Sequence, residues 1–173
     1  WPDDGLDEGP MMLQKTCEIG PDETLGDVYF KKLFPMGVDA MIEGLELVKA
    51  GVIIKHNQRL EDGSYESWFG KAAAKIDWSK PAADIYNIIR AANPAPGAWT
   101  TIDGSELKIY DSGRVDGTGT AGEVVSINED GVTVQAEGGR ILIKRVRPAD
   151  GGKTAASEWA AAAGINSGTK LGS

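Results

Sequence analysis

The spacing of apolar residues changes from helical to alternating after Trp99, and this change constrains the fold more than any other feature. From there, short alternating runs are separated by tight-turn pairs such as Asp103-Gly104. The runs predicted to be strands cover residues 99–102, 107–110, 122–127, 132–136 and 140–146. Short strands joined by tight turns favour a small antiparallel barrel.

Helices are predicted on both sides of this strand-rich part. Ser79 is expected to cap a helix that ends near Ala92, because Pro81 is tolerated in a first turn. A second helix is predicted over about 155–163, followed by an extended tail over 164–173. Three tryptophans are predicted to pack in the core rather than to stack on bases: Trp78, Trp99 and Trp159.

The chain begins with an acidic loop that glycine and proline interrupt. Residues 1–10 read Trp-Pro-Asp-Asp-Gly-Leu-Asp-Glu-Gly-Pro, a composition typical of turns. Residues 11–19 are predicted to form a buried strand. A helix capped by Asp22 or Thr24 should break or kink at Pro35, and another should run to about Ala50. The pattern leaves two interpretations of the loop: an ordinary solvated surface, or carboxylates held at a sheet edge.

Two stretches taken together resemble the folate-dependent formyltransferases. Residues 3–10 resemble the active-site loop of that family. Residues 75–99, which include Ile-Asp-Trp-Ser-Lys-Pro and Asn-Pro-Ala-Pro-Gly-Ala-Trp, resemble the start of its C-terminal domain. The resemblance implies an α/β remnant of a Rossmann-like formyltransferase domain over 1–51 and a linker over 52–70. A small OB-like β-barrel domain with flanking helices would follow over 71–173.

The resemblance also implies a reaction and its residues. The family moves a formyl group from 10-formyltetrahydrofolate, a co-substrate, to an amine, and no metal is expected. Asp7 stands where the family has an Asp that manages protons, so it is the predicted catalytic residue. The segment whose backbone would contact the pterin ring comprises Asp3, Asp4, Gly5 and Leu6. Glu8 is a departure, since Thr is more usual at that place.

Part of the family's site has no counterpart in this sequence. An Asn and a His on an upstream strand complete the site in the family, whereas this chain starts at Trp1. We therefore expect a C-terminal part of a longer protein that is inactive alone. His56, the only histidine, does not match the position of the family's His.

Charge is unevenly distributed along the chain. The net charge is −8, and residues 1–70 carry fourteen Asp and Glu against six Lys and Arg, so the second half is balanced. The predicted nucleic-acid-binding residues are Arg140, Lys144, Arg145 and Arg147, because clustered cations bind phosphates. The resemblance implies initiator methionyl-tRNA as the partner and translation initiation as the process. The alternative is a solvated strand face.

Two other functions stay open at this point. Loop 1–6 and residues 63–70 also resemble the 10-formyltetrahydrofolate hydrolase/dehydrogenase branch, and the barrel by itself fits a non-catalytic module that binds RNA or a protein. No apolar run is long enough for a membrane span, and no signal sequence is visible. We expect a cytoplasmic protein without a membrane partner, monomeric when complete.

Overall fold

The computed structural model describes residues 1–3 and 5–172 and divides the chain into two compact units, Trp1–Trp68 and Phe69–Ser173. The division into a catalytic-domain part, a linker and a C-terminal domain stays a prediction, because compactness does not identify a linker.

Helices dominate the first unit. Helix α1 covers Leu25–Val28, a π-helical turn covers Tyr29–Leu33, and helix α2 covers Phe34–Lys49. A short 3-10 turn covers Leu60–Asp62. The break or kink predicted at Pro35 does not interrupt the helix there: α2 continues through Pro35, and the irregularity is the π turn that precedes it. The backbone N–H of Phe34 bonds to the carbonyl of Tyr29, and this wider turn accommodates a proline that cannot donate.

A capping box starts the first helix. The Oγ1 of Thr24 accepts from the Asp27 N–H at 3.2 Å, and the Asp27 carboxylate accepts from the Thr24 N–H at 3.1 Å. Lys31 contacts the same carboxylate at 2.6 Å. The hydrogen bonds from Lys31 and Thr24 hold the pKa of Asp27 well below its usual range. The Lys32 ammonium and the Gly20 N–H likewise lower the pKa of Glu23.

The strand predicted over 11–19 is wrong. Met11 forms one antiparallel bridge with His56, and residues 12–19 are not in a strand. A strand requires a neighbour along its length to satisfy its backbone groups, and the described part of this unit supplies one at Met11 alone.

The second unit is built on an antiparallel sheet. Its strands are β1 (Ala98–Ile102), β2 (Ser105–Val115), β3 (Val124–Asn128), β4 (Gly131–Ala136), β5 (Gly139–Pro148) and β6 (Thr154–Ala155). The order is β1-β2-β5-β4-β3, and β6 pairs with β5. The hairpin predicted at Asp103-Gly104 is confirmed, with Ile102 paired to Ser105 and φ of 48° and 76° at the turn residues.

Closure of this sheet into a barrel is not confirmed. Among the described strands the pairing is an open path from β1 to β3. The C-terminal tail lies at both ends of that path. The Leu171 N–H donates to Gly122 O at 2.9 Å, and the Gly172 N–H donates to Thr101 O at 2.8 Å. These contacts amount to one antiparallel bridge, Glu123 with Lys170, and a single bond at Thr101, not a strand ladder. The finding is an open sheet with helices.

Helices α3 (Ala82–Ala91) and α4 (Ala156–Ala162) pack on the sheet. Ser79 does not cap α3 as predicted, because its N–H and hydroxyl donate to Asp77 Oδ1 at 3.0 and 2.6 Å. The helix begins instead after Pro81. Buried side chains of α3, β2, β4 and β5 form the core, and they include Ile85, Ile109, Val134 and Ile141.

Two of the three tryptophans are in the core, as predicted. Trp78 and Trp159 are buried, and the Trp78 indole N–H donates to Thr100 Oγ1 at 3.0 Å. Trp99 is half-buried and packs against the core, and the Lys71 and Lys75 ammonium groups lie 5.1 and 5.4 Å from its ring centre.

Candidate functional site

The acidic loop turns sharply at Asp7. Its φ of 58° is in the left-handed region, which non-glycine residues seldom adopt, although Asp and Asn adopt it more readily than others. The Nε2 of Gln58 donates to the carbonyls of Asp7 and Gly9 at 2.7 and 2.8 Å. The turn that carries the predicted catalytic carboxylate is therefore tied to a residue far along the chain.

The segment after α2 holds the rest of the loop. Met11 and His56 exchange two backbone hydrogen bonds of 2.8 Å. The Trp1 indole N–H donates to Ile54 O at 2.8 Å, and the N-terminal ammonium donates to Pro10 O at 2.8 Å. The segment predicted to be a linker thus organises the loop.

Two glycines allow the loop to pack closely. A Cβ atom on Gly9 would lie 1.8 Å from the carbonyl oxygen of Trp1, and one on Gly5 would lie 2.0 Å from the Glu8 carboxylate. The first contact is with backbone, which cannot move without displacing Trp1. The loop has one compact arrangement that a larger residue at position 9 would disrupt.

The other predicted site residues of the loop are at the surface. Asp3, Asp7 and Glu8 are exposed, Leu6 is 75% exposed, and Gly5 is half-buried. Asp4, which was predicted to bind the cofactor, lies outside the described residues. The expected sheet edge beneath Asp7 is not formed, because residues 12–19 are not in a strand. The turn and the Gln58 bonds hold the loop instead.

A cavity of about 610 Å³ lies beside Asp7. Leu6 and Glu8 line it together with residues of the 58–68 segment, which include Tyr65 and Trp68. These two aromatic side chains are 81% and 97% exposed. A second cavity, of about 580 Å³, is lined by Trp1, Pro2, Asp3 and Gly5 and shares Leu6 and Asp7 with the first. Both volumes are in the range of small-molecule sites.

Within residues 1–3 and 5–172, no three His, Cys, Asp or Glu side chains cluster as ligands would. Among the same residues, no helix is both long and apolar enough to span a bilayer.

Three of the four predicted nucleic-acid-binding residues form an exposed cluster on β5. Lys144, Arg145 and Arg147 are exposed, and within the described part of the chain their side chains take part in no hydrogen bond or ion pair. They fall within about 10 Å along the strand. Lys108 of β2 is opposite Arg147, but its ammonium donates to Pro96 O at 2.9 Å and lies 4.0 Å from Glu106, so it does not join this basic cluster.

Arg140 is separate from that cluster and is engaged internally. Its Nε donates to Gln135 Oε1 at 2.9 Å, and its Nη2 donates to Thr118 O at 3.2 Å. Five residues of strand place it about 16 Å from Arg145. The structure therefore groups Arg140 with the 116–121 loop and not with the other three cations.

Sequence reasoning missed Gln58 and Gln135. Gln58 contacts residues 49 and 51 positions away, and no local pattern reports a contact over that separation. The alternation of apolar residues in β4 indicated a core-facing strand. Nothing in the sequence indicated which groups the buried Gln135 side chain would contact.

Comparison with known proteins identifies the family. The model of the formyl transferase C-terminal domain matches residues 69–164. The chain is 34% identical over 170 residues to cytosolic 10-formyltetrahydrofolate dehydrogenase of Xenopus laevis, covering 92% of this chain and 19% of that one. It is also 34% identical over 170 residues to methionyl-tRNA formyltransferase of Geotalea daltonii, covering 98% of this chain and 54% of that one.

Solved structures agree on the fold. HypX from Aquifex aeolicus, in complex with tetrahydrofolic acid, superimposes with a TM-score of 0.69 at 17% identity, over 91% of this chain and 28% of that one. The chain spans about a fifth of the dehydrogenase and about half of the transferase. The family resemblance is confirmed: the chain belongs to the formyl transferase family, and residues 69–164 match its C-terminal domain.

Proposed function

We propose that this chain is part of an enzyme that moves a formyl group from 10-formyltetrahydrofolate to the amino group of methionyl-tRNA. The observation that carries the proposal is the Asp7 turn, which lines a cavity of about 610 Å³ in a member of the formyl transferase family. Residues held in sparsely populated backbone conformations cluster at active sites, and Asp7 is such a residue beside a cavity.

The proposed reaction depends on a residue that accepts or relays protons and not on a metal ion. The amine nitrogen attacks the formyl carbon, a C–N bond forms, and the bond from that carbon to folate N10 breaks. One proton leaves the amine and one reaches N10. Asp7 would accept the first or relay it through water, as general base.

The donor would bind along the loop. Asp3, Asp4, Gly5 and Leu6 would present backbone groups to the pterin ring, and the cavity of about 580 Å³ lined by Asp3, Gly5 and Leu6 supports this placement. The family's Asn and His would supply the oxyanion contact. We therefore propose that the chain by itself transfers no formyl group.

The acceptor would be held by the second unit. Lys144, Arg145 and Arg147 are exposed and free of ion pairs among the described residues, so they would contact phosphates without reading sequence. Arg140 would contribute less, because Gln135 and Thr118 already engage its guanidinium. The proposed partner is initiator methionyl-tRNA, and the proposed compartment is the cytoplasm.

A hydrolase/dehydrogenase role is the second candidate. The chain is 34% identical to a 10-formyltetrahydrofolate dehydrogenase and 34% identical to a methionyl-tRNA formyltransferase, so sequence identity favours the two roles equally. Water would replace the amine in the same attack, and formate would be released. Supplying the protein with 10-formyltetrahydrofolate, with and without methionyl-tRNA, separates the two. Formate without tRNA supports the hydrolase, and formylmethionyl-tRNA supports the transferase.

A third candidate is a binding module without catalysis, which the unpaired cations of β5 favour. It predicts salt-sensitive tRNA binding by the chain with no saturable affinity for tetrahydrofolate. Saturable folate binding that requires Asp7 would exclude it.

The experiment that tests the leading proposal is Asp7→Asn in the full-length product of the gene. We expect kcat to fall by about 100-fold or more, the usual worth of a positioned acid–base group, with folding unchanged. Asp39→Asn is the matched control, because Asp39 is exposed on α2. Normal turnover in Asp7→Asn would overturn the assignment.

A further inference from the structure

The side chain of Gln58 bridges two carbonyls of the acidic loop. Its Nε2 lies 2.7 Å from Asp7 O and 2.8 Å from Gly9 O. A glutamine amide nitrogen carries two hydrogens, so one side chain satisfies both acceptors. Gln58 is half-buried, which shields these bonds partly from competing water.

The position of Gln58 follows from the bridge beside it. Met11 and His56 exchange backbone hydrogen bonds in an antiparallel bridge, and two residues further along, Gln58 faces Gly9. In a regular ladder the backbone groups of those two positions would form the next pair. Because the loop turns at Asp7, the Gln58 side chain replaces the backbone as donor.

The two bonds are on either side of Glu8 and fix the turn at Asp7. A residue in the left-handed region is held in a conformation that L-residues seldom adopt, and it persists where the surroundings determine it. Loss of the Gln58 donors would leave Asp7 free to return to the common backbone regions. Its carboxylate would then leave the wall of the cavity.

We propose that Gln58 is a positioning residue: it holds Asp7 in the left-handed turn and thereby keeps Asp7 at the wall of the cavity. Its effect on catalysis rests on the proposed function, whereas its effect on the turn does not. The residue lies in the segment that the sequence predicted to be a linker, so this segment would belong to the site.

The conformational part is tested by NMR on the full chain. Gln58→Met keeps the length but removes the donors, and Gln58→Lys keeps donors. Gln14→Met is the matched control, because Gln14 is exposed. We expect Gln58→Met to lose the strong intraresidue HN–Hα NOE that marks positive φ at Asp7, with the amides of Met11 and His56 still protected. Gln58→Lys should keep the NOE at least in part.

An unchanged NOE at Asp7 in Gln58→Met would overturn the proposal. If Gln58→Met also loses the Met11–His56 bridge, Gln58→Asn decides, since it keeps the amide but is too short to reach both carbonyls. With the bridge intact, Gln58→Asn should lose the NOE, and retention of the NOE would overturn the proposal.

The catalytic part is tested in the full-length product of the gene. Gln58→Met should lower kcat about tenfold and leave KM for 10-formyltetrahydrofolate within about twofold, because geometry changes rather than donor binding. Gln58→Lys should recover part of kcat. Wild-type-like kcat together with a lost NOE would overturn the catalytic role. A wild-type protein without formyl transfer would overturn the proposed function, while the NMR result would still decide the role of Gln58 in the turn.

Discussion

The buried Oε1 of Gln135 accepts a hydrogen bond from the Nε of Arg140 at 2.9 Å. The Nε2 of the same glutamine donates to the carbonyls of Ala136 and Gly139, each at 2.8 Å. A side chain that is 1% exposed therefore ties β4 to the start of β5. Arg140 completes this network by its contact with Thr118 O at 3.2 Å.

Replacing Gln135 by Leu should destabilise the second unit. The substitution leaves Arg140 without its side-chain acceptor and removes the donor from two carbonyls, and stranded buried polar groups of this kind cost about 2–4 kcal/mol together. Hydrogen exchange of the Val134 and Ile141 amides in the full chain measures the change. Gln14→Leu is the control and should alter exchange little. Equal protection in both variants would contradict the network.

Arg145 and Arg147 of β5 should behave differently from Arg140, whose guanidinium is engaged by Gln135. Arg145→Ala together with Arg147→Ala removes two exposed side chains that lack partners in the described structure, so stability should change by no more than about 0.5 kcal/mol. Binding to tRNA should weaken, and the slope of log K against log salt should become less steep by about one to two. Filter binding between low and moderate salt measures both.

Lys80→Ala provides the comparison for that pair. Lys80 is exposed and lies beside the β4–β5 turn, where its carbonyl accepts from the Glu137 N–H, far along β5 from Arg147. The Lys80→Ala variant should leave the slope of log K against log salt unchanged. An identical slope in the double variant and in Lys80→Ala would remove Arg145 and Arg147 from the RNA surface.

Acid should loosen the start of α1. The pKa of Asp27 is lowered in the folded protein by Lys31 and Thr24, so its contribution to stability is present above its unfolded pKa of about 3.9. It is lost as pH falls below that value towards the folded pKa. Amide exchange at Val28, whose N–H bonds to Thr24 O at 3.0 Å, should speed up below about pH 4 beyond the intrinsic pH effect.

Asp27→Asn isolates that carboxylate. The variant should show less protection at Val28 near neutral pH and a smaller dependence on acid, and the remaining dependence should come from Glu23, whose pKa is also lowered. Asp39→Asn should behave as the wild type. A full acid response in Asp27→Asn would show that another group controls the cap.

Local signals in the sequence predicted local structure well. The Asp103-Gly104 hairpin needs two adjacent residues of positive φ, a preference that this dipeptide expresses by itself. The strand over 11–19 failed for the opposite reason, because strand formation depends on a distant partner. At Pro35 the expected break did not occur, because the π turn before it accommodates the proline. No residue type in the sequence predicts such a turn.

The candidate site shows the same limit. The loop around Asp7 was found through its motif, but its conformation depends on Gln58, Trp1 and His56, whose contacts span many residues. Grouping Arg140 with the other β5 cations followed from closeness in sequence. The structure separates it because Gln135, across the β4–β5 hairpin, engages the guanidinium.

Gly9 should not tolerate a side chain. A Cβ at this position would lie 1.8 Å from the carbonyl oxygen of Trp1, so Gly9→Ala must displace either Trp1 or the loop. We expect the Trp1 indole N–H to lose its bond to Ile54 O and its NMR resonance to move towards that of a solvated indole. Gly37→Ala is the matched control, since nothing lies within 4 Å of its added Cβ and alanine favours the α2 helix by about 0.5–1 kcal/mol. If Gly9→Ala leaves the Trp1 resonance in place, the compact arrangement of the loop is wrong, and the turn at Asp7 would have to depend on Gln58 alone.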